Sequence, residues 1–201
     1  MEIIKKINDP FPHLIIENIY DDEELELIWE ELKFLNKPGK MLTPNHYGAA
    51  QDPRTGQFAT RARALELKNV YSNKIFSNIL QINKKVLKYA KDYASLSPHY
   101  VKILKINEEY TKLRYYNHKE DYKPHADFPY DVISCTYFNE EPKKFEGGEL
   151  FFPEYDYEIS CNNNMCVIFP PYFVHGVRKV LMEDINLKYG RYCITQFFNS
   201  R

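Results

Sequence analysis

From residue 100 to residue 198 the chain breaks into eight short runs of β-forming residues, and no other feature limits the fold as much. The runs cover 100–106, 111–117, 132–139, 149–152, 157–161, 165–169, 176–180 and 191–198. Turn-forming residues separate most of them: Pro142, Gly147-Gly148, Pro153, Asn162-Asn163-Asn164, Pro170-Pro171 and Gly190. Many short strands at such spacing specify a sandwich or a jelly roll. With 17 Tyr and 13 Phe, the chain is also rich in rings that suit strand faces and a polar-tipped interior.

The first hundred residues follow another pattern. A strand is expected over 12–19. Asp21 with Glu24 three residues on forms a capping box, and Leu25, Ile28, Leu32 and Leu35 repeat at helical spacing behind it, which predicts a helix over 22–35 ended by Lys37-Pro38-Gly39. Residues 36–69 show no period and carry Tyr47, Arg54, Arg61 and Arg63 among glycines and prolines, the pattern of a substrate-facing lid or a surface loop. Ser72 then caps a second helix that puts Ile75, Ile79, Ile82, Val86, Tyr89 and Tyr93 on one face. Its other face carries Lys84, Lys85, Lys88 and Lys91, a solvated stripe. The expected architecture is α+β, mainly β. One domain spans 1–201, with strand, helices and lid over 1–99 and a jelly-roll core over 100–201, the two helices packed on one sheet.

A formal net charge of −1 gives no reason to expect nucleic acid or an acidic membrane as partner. The N-terminus has no long apolar run of the signal-peptide kind, and no segment approaches the ~18 apolar residues of a membrane span. Cys135, Cys161, Cys166 and Cys193 include no C-x-x-C, so they are expected as buried, reduced thiols in a cytoplasmic protein.

His125-Ala126-Asp127 and His175 carry the chemistry. Two imidazoles and a carboxylate are the donor set of an open, facial Fe(II) site, in which three protein ligands leave the opposite face free. On a strand, residues two apart point to the same side, so His125 and Asp127 can reach one metal if His175 comes from a second strand.

The stretch 113–198 resembles the Fe(II)/2-oxoglutarate-dependent dioxygenases, in particular their prolyl 4-hydroxylase-like branch. The matching features are Tyr116-x5-Tyr122-x2-His125-x-Asp127, Tyr137-Phe138-Asn139, Gly147-Gly148-Glu149-Leu150, Val167-Ile168-Phe169-Pro170, His175 and Arg191-Tyr192-x-Ile194-Thr195. They occur in the family's order. The resemblance implies a double-stranded β-helix with His125, Asp127 and His175 as iron ligands. It gives Arg191 as the cation for the distal carboxylate of 2-oxoglutarate, a role that a bidentate, permanently charged guanidinium fits. It also implies that Tyr137 hydrogen-bonds that carboxylate and that Tyr116 bonds the co-substrate near the metal. Thr195, on the Arg191 face by period two, is a further polar candidate.

Two positions depart from the family pattern. Arg191 lies sixteen residues beyond His175, with a longer connection over 181–189, where about ten is usual; Lys188, Arg178 and Lys179 are the alternatives. Lys119 stands where a glycine is common. Gly147-Gly148 reads as a tight turn or bulge. The resemblance implies a hydroxylating oxygenase that uses Fe(II), 2-oxoglutarate and O2, with ascorbate as accessory reductant. The intact Asp127 argues against the related halogenases, which lack that carboxylate. A peptidyl-proline or other protein or peptide substrate is favoured over a small metabolite. A non-catalytic jelly-roll metal-binding module is the rival from another class, and nucleic-acid demethylation is disfavoured because Gln196-Phe197-Phe198-Asn199 offers no second arginine.

Overall fold

The five inner strands of the larger sheet each divide their residues between two apolar cores, and the molecule is organised around that division. The computed structural model describes residues 1–37, 39–96 and 98–200. Strands β1 (Ile3–Ile7) and β2 (His13–Glu17) precede helix α1 (Asp22–Leu35); β3 (Arg63–Glu66), α2 (Leu67–Val70), α3 (Asn78–Ile82) and α4 (Lys84–Asp92) follow. The remainder is β4 (Glu108–Tyr116), β5 (Tyr122–His125), β6 (Val132–Phe138), β7 (Phe145–Glu146), β8 (Leu150–Phe152), β9 (Tyr157–Ile159), β10 (Met165–Phe169), β11 (His175–Val177), β12 (Leu181–Met182) and β13 (Arg191–Asn199). The larger sheet has the order β1-β2-β10-β6-β13-β4-β3 and the smaller β5-β11-β8-β9, while β7 pairs with β12. All pairings are antiparallel.

On β13, Tyr192, Ile194 and Phe198 join the core under the helices, whereas Cys193 and Phe197 join the core between the sheets. Both faces are covered, so the strand is buried from Arg191 to Phe198 and reads as a nearly continuous run rather than an alternation. Full burial of one such apolar residue contributes about 1.5–3 kcal/mol. Ile28, Leu32 and Leu35 of α1, with Ile79, Val86 and Tyr89 of α3 and α4, cover the outer face, as expected for helices on one sheet. Leu150, Phe152, Ile159 and Val177 of the smaller sheet close the inner core.

The capping box forms: Asp21 Oδ1 accepts from Glu24 N at 2.9 Å and Glu24 Oε2 accepts from Asp21 N at 3.1 Å. Of the residues expected to end α1, Pro38 lies outside the described residues, and the cap itself is Asn36. The second helix is corrected. Ser72 does not cap it; Ser77 does, accepting from Leu80 N at 3.0 Å, after a separate 3-10 turn over Lys74–Phe76. The buried carboxylate of Glu31 fixes that start by accepting from Ser77 Oγ at 2.7 Å and Ile79 N at 2.9 Å. Asn83 separates α3 from α4, and its carbonyl accepts from both Val86 N at 3.0 Å and Gln196 Nε2 at 3.2 Å.

The strand expected over 100–106 is a 3-10 helix, Pro98–Lys105. Tyr100, Ile103 and Ile106 are the buried positions, a spacing of three that suits a 3-10 turn and not a strand. Inside the stretch 36–69, β3 pairs with β4 at the sheet edge and Ala62, Ala64 and Leu65 are buried. That part belongs to the core and is not a removable lid. The short strands β1, β7 and β12 carry no usable period in the sequence, whereas β5 is the strand expected to carry His125. All four cysteines are buried and free. Among the described residues, no helix is long and apolar enough to cross a membrane.

Candidate metal centre

β5 ends on His125 and β11 begins on His175, and the antiparallel register sets the two residues directly opposite each other. Their ring centroids are 4.5 Å apart. Asp127 is reached differently from the expected shared strand face: it lies just beyond β5, and its N–H donates to the Pro171 carbonyl at 2.8 Å. That bond ties the turn after β5 to the segment that leads into β11. Asp127 Oδ1 stands 3.6 Å from His125 Nε2 and Oδ2 stands 3.5 Å from His175 Nε2. The three donor atoms all lie within 4.8 Å of one another.

Both imidazoles are oriented by the backbone. His125 Nδ1 lies 2.9 Å from the Lys123 carbonyl and His175 Nδ1 lies 2.9 Å from the Phe173 carbonyl. A carbonyl only accepts, so each Nδ1 carries the proton and each Nε2 keeps a lone pair turned toward Asp127. Tyr122 stacks on His125 at 3.8 Å, and Phe169 meets His175 edge-on at 4.9 Å. Burial, followed by the neighbouring His175, pushes the His125 imidazole down to about 4. Burial would raise the Asp127 carboxyl, but its bond with His175 and the charges of both histidines and Arg114 outweigh it and hold it below the usual carboxylate value. A neutral His125 and an ionised Asp127 are in the protonation states that a divalent metal needs.

A pH dependence follows. An unfolded histidine takes up its proton near pH 6.5, whereas folded His125 does so near 4, so between those values the unfolded state binds more protons. The metal-free protein should therefore lose stability as pH falls through that window, by on the order of 2–3 kcal/mol. Urea midpoints measured from pH 7 to pH 4 should fall more steeply in the wild type than in His125→Gln. Equal slopes would show that His125 is not buried neutral.

Arg191 is 1% exposed in the inner core. Its guanidinium carbon lies 4.8 Å from the ring centroids of both Tyr116 and Tyr137. One terminal nitrogen donates to Cys161 Sγ at 3.5 Å, while Nε, the other terminal nitrogen and the Tyr137 hydroxyl are buried without a partner. Burial raises the Tyr116 and Tyr137 phenols well above their ordinary value, so both stay protonated and able to donate. Thr195 shares the inner face, but its Oγ1 accepts from Arg114 at 2.9 Å. Lys188, Arg178 and Lys179 are all exposed, and Arg178 pairs with Glu158. The longer connection before Arg191 holds β12 and a 3-10 turn, and the final strand keeps its place.

Gly147 and Gly148 both have positive φ, and a Cβ on Gly148 would stand 2.8 Å from Arg191 Cδ. The pair thus forms the expected turn and also packs against the arginine. Lys119 adopts φ 64°, so the turn that a glycine usually makes is kept with a lysine in the left-handed region. Part of 36–69 docks beside β5: Ala59 O accepts from Lys123 N at 2.8 Å and Thr60 Oγ1 donates to Asp121 O at 3.0 Å. Between that segment and β5 lies a cleft of about 570 Å³ bordered by Thr43, Phe58, Arg61 and Lys123. Sequence reading missed Arg114, whose parity on β4 with Tyr116 was the signal that it points inward.

Residues 111–199 match the family model of the 2OG-Fe(II) oxygenase superfamily, so the resemblance read from the motifs of the β-rich half holds. Solved structures extend the likeness to nearly the whole chain at the level of fold. A prolyl-4-hydroxylase from Pseudomonas putida shares 14% identity over 94% of this chain and 92% of its own, with a TM-score of 0.61. The viral collagen prolyl hydroxylase of Paramecium Bursaria Chlorella virus-1 shares 12% identity over 94% and 96%, with a TM-score of 0.53. SnoN, a non-heme alpha ketoglutarate dependent epimerase from nogalamycin biosynthesis, shares 8% over 94% and 78%, with a TM-score of 0.60. No curated protein sequence matches the chain significantly.

Proposed function

We propose that the protein is an Fe(II)- and 2-oxoglutarate-dependent dioxygenase that hydroxylates an unactivated C–H bond, with a peptidyl-proline or another amino-acid residue as the favoured substrate. The observation that carries this reading is the set of unpartnered donors of Arg191 and Tyr137 inside the same barrel as the His125–Asp127–His175 triad. Buried polar groups are ordinarily satisfied, and a buried cation without a counter-charge is costly. A carboxylate in that space answers both. A module that used the metal only for structure would have no need of such a pocket.

In this reading His125, Asp127 and His175 would hold Fe(II), their donor atoms already within 4.8 Å of one another. Arg191 and Tyr137 bind the distal carboxylate of 2-oxoglutarate, and Tyr116 donates to the co-substrate nearer the metal. Iron with 2-oxoglutarate supplies the activation of O2, with release of succinate and CO2 and transfer of one oxygen atom to substrate. Phe169 and Phe152 back His175 with apolar surface and keep water from that side. The prolyl hydroxylases of the same fold support an amino-acid residue as substrate, and the cleft beside β5 offers a place for the residues that flank it. Residues 43–58, at the rim of that cleft, are the part of the expected lid that can act as one.

Gly148 gives a test of the co-substrate pocket. Gly148→Ala should press on Arg191 and weaken 2-oxoglutarate binding about tenfold, since overpacking costs about 1–3 kcal/mol. Calorimetric titration of the Mn(II)-loaded variant measures it, and unchanged affinity would detach Arg191 from the co-substrate. The function itself is tested by 2-oxoglutarate turnover against a panel of proline-containing peptides, other peptides and metabolites. Mass spectrometry should find one product heavier by one oxygen. Absence of 2-oxoglutarate consumption under Fe(II) and O2 across the panel would leave the metal-binding module as the reading.

A further inference from the structure

Arg114 is the buried charge that the proposed chemistry does not use. It points into the barrel from β4, one inward position from Tyr116, and is 8% exposed. One terminal nitrogen donates to Thr195 Oγ1 at 2.9 Å, and its Nε is buried without a partner. No described carboxylate lies within ion-pair distance of it, whereas its neighbour Lys112 reaches Glu66 at 3.7 Å. The guanidinium carbon sits 5.4 Å from the Tyr122 ring, which itself stacks on His125.

Exposure rises along the inner face of the β4–β13 pair, from Arg191 through Arg114 to the partly exposed Lys112 and Tyr110. Arg114 thus stands between the Arg191 pocket and the open end. There Tyr110 and Tyr130 pack on Phe197 at 5.5 and 4.6 Å. Formal charge points the same way, and this step rests on the function proposed above. The two charges of Fe(II) and that of Arg191 are balanced by Asp127 and the two carboxylates of 2-oxoglutarate. Arg114 is left as an uncompensated buried cation.

We infer that Arg114 binds a carboxylate of the substrate, placed between the metal centre and the aromatic rim of the barrel. The substrate is then an acidic residue, a peptide C-terminus or a free amino acid, and the rim aromatics take its apolar part. A guanidinium can hold such a carboxylate with two parallel bonds, which its unpartnered nitrogen and remaining donors allow.

The test is binding, so it does not depend on turnover. Mn(II)-loaded protein is titrated, with and without 2-oxoglutarate, with three probe classes: N-acetyl aspartate and glutamate amides, N-acetyl amino acids with a free α-carboxylate, and free amino acids. Each probe is paired with its carboxamide. At least one class should bind, its carboxamide should bind at least about tenfold more weakly, and Arg114→Gln should erase the difference. The variant should keep its 2-oxoglutarate affinity within about threefold, and Arg114→Lys should restore part of the carboxylate preference. The class that binds identifies the source of the carboxylate. Lack of binding by every class, equal binding of carboxamides, or a loss of 2-oxoglutarate affinity as large as that of an Arg191 variant would each overturn the inference. Failure of 2-oxoglutarate to bind the wild type would instead strike the proposed function, and the carboxylate comparison without co-substrate would still decide the role of Arg114.

Discussion

His175→Ala should retain less than about a hundredth of the wild-type affinity for Fe(II) or Mn(II), and with it no measurable turnover. Even outer partners of metal ligands are worth about 10–100-fold in affinity, and this change removes one of three direct donors. The pairing of His175 with His125 across β5 and β11 means that the loss also leaves Asp127 without one of the two imidazoles that hold it ionised. The fold should survive, because the larger sheet and both cores form from residues that do not touch the metal. His175 is buried against Phe169, so a modest drop in melting temperature accompanies the change. His175→Gln fills most of the space and separates that packing effect from the loss of a ligand. Full metal occupancy in both variants would mean that the triad does not hold the metal.

Arg191→Met should weaken 2-oxoglutarate binding well over tenfold while Fe(II) affinity stays near normal. The distal carboxylate would face a buried site without its cation, a cost on the order of 2–5 kcal/mol. The same variant should melt no lower than the wild type in the absence of co-substrate. Its guanidinium is buried with two nitrogens unpartnered, and a methionine of similar length removes that penalty without opening a large cavity. Binding lost with stability kept is the signature of a group held for a ligand. Lys188→Ala is the control, since Lys188 is exposed and should change neither quantity. Normal 2-oxoglutarate affinity in Arg191→Met would place the co-substrate anchor elsewhere, and Arg114 would be the next candidate.

Much of this was legible in the sequence. Strands β6, β10 and β13 were readable because a sheet covered on both faces needs unbroken apolar runs. α1 was readable because Asp21 and Glu24 announce its start. The proposed metal ligands and the proposed co-substrate residues Arg191, Tyr116 and Tyr137 are legible through motif order, which survives where local periods fade. The misses have a common cause: local pattern was overridden by contacts distant in sequence. The helix after residue 72 starts at Ser77 because Glu31 of α1 caps it, and no local signal announces a carboxylate 46 residues away. Residues 100–106 look β-forming, yet the helices above the sheet set a spacing of three. Asp127 was placed on a strand, but the Pro171 carbonyl draws it into the following turn. Arg114 was passed over because one arginine already satisfied the expected chemistry, although strand parity put both on the inner face.

The central claim is that this barrel activates O2 at His125, Asp127 and His175 at the expense of 2-oxoglutarate. The direct measurement is the isotopic content of succinate formed by the purified protein with Fe(II) and 2-oxoglutarate under 18O2. Succinate should carry one 18O atom, at a rate that His175→Ala abolishes and Arg191→Met lowers unless 2-oxoglutarate is raised. Binding of metal and 2-oxoglutarate with no labelled succinate, or labelled succinate at the same rate in His175→Ala, would contradict it.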